Sequence, residues 1–134
     1  MKILHIIASA RREGGGPIEG VLQFGEQLGK LGHEQHLLTL DHPDDLPEMA
    51  DNRRYHLKGR QLPGGNAPWS RFRRWAAFSP EARDWLKAHV RDFDVVVVNG
   101  VWNYSTRLAR IVLPGRVPYV VFTHGMLDPW FRRA

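Results

Sequence analysis

Four consecutive valines, Val95 to Val98, constrain this chain more than any other feature. β-Branched residues favour extended backbone, and an unbroken apolar strand with no polar alternation needs cover on both of its faces. That reading makes 95–98 a central strand of a parallel sheet, entered through Asp94 and left through Asn99-Gly100-Val101-Trp102. Residues 2 to 8 repeat the pattern and run into a loop holding Gly14, Gly15 and Gly16. Pro17 then stands where a first helical residue needs no N–H. Val21, Phe24, Leu28 and Leu31 follow at spacings that predict one apolar stripe of a helix, with Gly32 as its stop. Leu37 to Leu40 is a second strand, so the first unit is strand–helix–strand. A short strand is expected around Arg54 to Leu57, after an acidic loop from Asp41 to Asp51.

The same alternation continues downstream. Ser79-Pro80-Glu81 is a helix start, a cap followed by proline and an acid in the first turn. Ala82, Trp85, Leu86 and Val90 give that helix its apolar face, a short helix spans about Ser105 to Val112, and Val117 to Thr123 makes the last strand. The expected fold is α/β: a parallel sheet of four or five strands with helices on both faces.

At 134 residues the chain holds one domain and hardly two. The absence of cysteine excludes disulfides, thiolate metal sites and a cysteine nucleophile, and suits a reducing compartment. No apolar run approaches the ~20 residues of a membrane span. Lys2, Ile3 to Ile7 and Ala8-Ser9-Ala10 imitate a signal peptide, but the apolar part is too short and contains His5. The net charge of +5 is local: residues 52 to 80 hold seven cations and no acid, leaving 12 cations against 14 acids elsewhere. Within that segment Trp69, Phe72 and Trp75 recur every third residue beside Arg71, Arg73 and Arg74. Such a stripe docks on the sheet, lies at an anionic membrane surface, or stacks on bases, and no nucleic-acid motif accompanies it.

Ligands of open parallel sheets gather beyond the carboxyl ends of the strands. Three such ends carry chemistry here. The glycine loop of 14–16 precedes a helix N-terminus, whose free N–H groups suit an anion such as phosphate. It fits neither the dinucleotide fingerprint, since Glu19 occupies the third glycine's place, nor a Walker loop. Asn99 and Gly100 form the second end and Thr123-His124-Gly125-Met126 the third, where a histidine can donate to a ligand oxygen or move a proton near neutral pH. Asp41, His42, Asp44 and Asp45 read as a solvated acidic loop rather than a metal site, and His36 and His89 as structural.

Taken together, Lys2 to Ile7, Gly14 to Pro17, Leu31-Gly32-His33-Glu34, the valine strand with Asn99 to Trp102, and Pro118 to Val121 with His124-Gly125-Met126-Leu127-Asp128-Pro129-Trp130 resemble the N-terminal domain of family 4 glycosyltransferases. The resemblance runs nearly the whole length and is weakest over 41–90. It implies half of a GT-B fold, a Rossmann-like acceptor-side domain over 1–134, and retaining transfer of a sugar from a nucleotide-sugar donor to a glycan or lipid-linked acceptor, without a metal or other cofactor. It maps the donor diphosphate to Gly14, Gly15 and Gly16, the donor sugar to His124 as catalytic residue, and the cleft lining to Asn99, Gly100, Trp102 and Gly125. Family members carry a second, nucleotide-binding domain with an E-x7-E motif. Glu26 and Glu34 share that spacing only by coincidence, so the expectation is a chain that lacks the donor domain and is inactive alone. A cytoplasmic protein touching an anionic membrane through 52–80, without nucleic acid, completes the expectation. The alternative is a noncatalytic α/β module that binds a phosphorylated ligand or a partner protein.

Overall fold

The computed structural model describes residues 1–11, 16–41, 54–57 and 79–129. Its elements run β1 (Lys2–Ile7), α1 (Gly16–Lys30), β2 (Glu34–Thr39), β3 (Arg54–Leu57), α2 (Pro80–His89), β4 (Val95–Asn99), α3 (Tyr104–Val112) and β5 (Tyr119–Phe122), with a 3-10 turn (Val90–Asp92) after α2. The strands form one sheet in the order β3-β2-β1-β4-β5. Every neighbouring pair is parallel. Ile7 pairs with both Thr39 and Asn99, Thr39 with Leu57, and Asn99 with Phe122, so all five strands end level at one edge.

The valine run is the central strand expected, because the sheet has a core on each side. Leu4, Ile6, Val96 and Val98 face Ala82 and Leu86 of α2 and Leu108 and Val112 of α3, all buried. Ile7 and Leu37 turn the other way, onto Ile18, Val21 and Leu22 of α1. Each such side chain, once fully buried, contributes roughly 1.5–3 kcal/mol. The helix starts follow their residues: the Ser79 hydroxyl accepts from the Ala82 N–H at 3.1 Å and the Asn103 side chain from the Thr106 N–H at 3.2 Å. Gly32 ends α1 at φ +82°, a left-handed conformation that glycine adopts freely.

One stripe is corrected. Of Val21, Phe24, Leu28 and Leu31, only Val21 is buried, while Phe24 is 46% and Leu31 73% exposed. The face on the sheet is Ile18, Val21, Leu22 and Gly25. Phe24 lies on the flank of that face. β2 also starts earlier than Leu37, at Glu34, because Gln35 and His36 are buried strand residues.

The two structural histidines have protein partners. His36 bonds the Glu34 carboxylate at 2.7 Å and sets its ring edge-on to Phe93; His89 bonds the Trp85 carbonyl at 2.8 Å and stacks on that indole. β5 is an edge strand, and Tyr119, Val120, Val121 and Phe122 all stay exposed. Among the described residues no helix is long and apolar enough to cross a membrane. The Trp69, Phe72 and Trp75 stripe and the turn-rich stretch 59–68 lie outside the described residues, as do all the cations of 52–80 except Arg54.

Candidate functional site

The strand order fixes where a site belongs. From β1 the chain moves outward to β2 and β3, then returns to place β4 on the other side of β1. The direction of winding therefore reverses between β1 and β4, which opens a crevice at their carboxyl ends. A pocket of ≈170 Å³ occupies that crevice. Ser9 and Arg11 line it from the β1 loop, Pro17 and Ile18 from the start of α1, and Asn99 and Gly100 from β4. Arg11 had no sequence signal beyond being a cation just past a strand tip. Gly16 opens α1; Gly14 and Gly15 fall outside the described residues.

The β1 loop is held by a residue the sequence suggested was solvated. Asp41 is only 8% exposed. Its carboxylate accepts from the Ser9 hydroxyl at 2.7 Å, the Ala10 N–H at 2.7 Å and the Thr39 hydroxyl at 2.6 Å. Its own N–H donates to the Thr39 oxygen at 2.9 Å. An acid just past β2 is where a dinucleotide fold holds a ribose. Here three donors already occupy the carboxylate, and one of them, Ser9, lines the pocket. Asp41 belongs to the scaffold of the site.

A second pocket of ≈190 Å³ lies on the α1 side of the same edge, between Phe24, Phe122, His5 and His124. Phe24 stands edge-on to both His5 and Phe122, which gives the rotated α1 stripe its use as a pocket wall. Asn99 lines both pockets. It is 3% exposed, and its amide donates to the Ile6 and Val97 carbonyls at 3.3 Å each. Its Oδ1 lies 3.0 Å from His124 Nε2.

Left-handed backbone collects at this edge. Gly100 (φ +92°), Trp102 (+65°), His124 (+48°) and Gly125 (+76°) are all left-handed, and Trp102 and His124 are the described non-glycine residues with positive φ. Such conformations persist where surrounding bonds over-determine them, and they concentrate at functional sites. The bonds here run through Met126. Its sulfur accepts from the Val101 N–H and its carbonyl from the Trp102 indole N–H, both at 3.4 Å. Met126 thereby joins the β5 turn to the β4 tip, a link that the local sequence does not show.

Of the expected site residues, the fold brings Asn99, Gly100 and His124 to the two pockets, with Gly16 opening the helix that walls them. Trp102 and Gly125 line neither pocket, and Trp102 is 69% exposed. Tyr104, the first residue of α3, is packed inward, and desolvation raises its phenol above the ordinary range, so it stays neutral.

These features define an open parallel α/β domain whose ligand pockets lie at the switch-point edge. Residues 15–134 match the family model described as a glycosyl transferase 4-like domain, and the chain belongs to that family. Proteins of this family act between a sugar donor and an acceptor. No individual curated protein matches the chain.

Proposed function

We propose that this chain is the acceptor-side domain of a retaining glycosyltransferase, moving a sugar from a nucleotide-sugar donor to a glycan or lipid-linked acceptor at the cytoplasmic side of a membrane. The observation that carries the proposal is the pocket at the β1/β4 switch point, walled by a helix N-terminus and Arg11 and adjoining His124. Transfer breaks the bond between the anomeric carbon and the diphosphate oxygen and forms one to an acceptor hydroxyl oxygen, whose proton passes to the departing diphosphate. The charge that develops on the departing diphosphate is met by the α1 N–H groups and Arg11. The Gly14 to Gly16 loop lets the backbone approach that group. His124 reaches the donor sugar, while Asn99, Gly100, Trp102 and Gly125 define the cleft edge. No resident metal is required when dipoles and a guanidinium balance the leaving charge. A second domain with the nucleotide contacts completes the cleft, and one wall alone does not exclude water from a donor.

His124→Ala, made in the enzyme with both domains, should reduce kcat/KM roughly ten- to hundredfold, the worth of one hydrogen bond to a charged or polarised group. Unchanged transfer by a folded variant would remove the histidine from the mechanism. The cations of 52–80 serve to hold the domain near an anionic surface rather than nucleic acid. Co-sedimentation with vesicles containing phosphatidylglycerol, and none with neutral vesicles, is the expected result. Equal binding to both, or to neither, refutes that role.

A further inference from the structure

We propose that Asn99 is a positioning residue that fixes the tautomer of His124, so that Nδ1 is the atom turned to the ligand. The inference rests on the reading of His124 as a donor-sugar contact. Asn99 has one orientation open to it. Its Nδ2 lies between the carbonyls of Ile6 and Val97, and a flipped amide would set oxygen against two acceptors. Oδ1 is therefore the atom that meets His124, and it only accepts. His124 Nε2 must carry the proton of that 3.0 Å bond. The neutral ring then holds its lone pair on Nδ1, which has no hydrogen-bond partner among the described residues.

The consequence is chemical. With Nε2–H tied to Asn99, Nδ1 accepts from a sugar hydroxyl when the ring is neutral and donates when the ring is protonated, and the ring does not turn between the two states. The φ of +48° at His124 fixes the backbone end of the same side chain. A neutral amide achieves this without setting a carboxylate beside a pocket suited to a diphosphate. Asn99 thus acts through His124 and contacts the substrate only indirectly. The other titratable side chain lining that pocket, among the described residues, is His5, whose Nε2 lies 3.0 Å from Gln35 Oε1.

The test is NMR of the 15N-labelled 134-residue chain. The His124 Nε2–H resonance should be visible in the wild type at neutral pH, protected by its bond. Asn99→Ala should lose it and show both tautomers. A wild type without the resonance overturns the proposal, as does a folded Asn99→Ala that keeps the signal. Should that variant not fold, the wild-type resonance decides alone. If the tautomer is fixed but His124→Ala transfers sugar normally, the functional reading fails and the positioning stands.

Discussion

Asp41→Ala should cost the domain about 3 kcal/mol of folding stability. The carboxylate has three donors, and the substitution treats them differently. The Ser9 hydroxyl is half-buried and turns to water. The Ala10 N–H and the Thr39 hydroxyl have no such exit, since Ala10 and Thr39 are 1% and 0% exposed. Each buried donor left without an acceptor costs roughly 1–3 kcal/mol, because desolvation is no longer offset by a bond. Asp41→Asn is the informative companion. It keeps one acceptor oxygen and turns the other into a donor facing donors, so its loss should fall between wild type and alanine. Urea unfolding at neutral pH measures the difference, and a thermal midpoint drop of roughly 10 °C should accompany it. A loss below about 0.5 kcal/mol for Asp41→Ala would mean that water replaces the carboxylate and that the β1 loop stands without it. Because Ser9 lines the switch-point pocket, the surviving folded fraction should also show altered amide signals at that wall.

The difference between Asp41 as sequence and Asp41 as structure shows what local pattern conveys. Elements were legible: the valine run, the Ser79-Pro80 start and even the four-residue β3 follow from propensity and period, and the two-faced burial of β1 and β4 follows from the lack of alternation. Which flank of α1 meets the sheet was not. Phe24 satisfies the periodicity as well as Leu22 does, and the choice depends on how the helix meets the sheet, which no window of sequence contains. The polar contacts were hidden for a further reason. Ser9 meets Asp41 across 32 positions and Asn99 meets His124 across 25, so neither pair leaves a trace in any window of sequence. The expectation that strand tips carry the chemistry located Asn99, Gly100 and His124. It did not show that Asn99 and His124 bond each other.

Gly100→Val should cost about 3 kcal/mol and should damage the site more than a comparable change one turn away. At φ +92° a β-branched residue is strained whatever the space around it. The backbone has no freedom to relax, because the Gly100 N–H donates to the Phe122 carbonyl at 2.8 Å and its carbonyl accepts from the Thr106 hydroxyl at 2.9 Å. A Cβ here would also lie 3.2 Å from the Asn103 side-chain nitrogen and 3.5 Å from the Met126 methyl. Asn103 caps α3, and loss of a cap adds about 1 kcal/mol. Gly125 supplies the control: its φ is +76°, but a Cβ there meets nothing within 4 Å. Gly125→Val should therefore show the strain alone, and the excess at position 100 measures the contacts with Asn103 and Met126. Equal losses would mean that conformation, and not the crowding of the β4 tip, is what keeps glycine at both sites. A larger loss at Gly100, with perturbed signals from Met126 and Asn103, would show that the β4 tip and the β5 turn are held as one unit, as a fixed His124 requires.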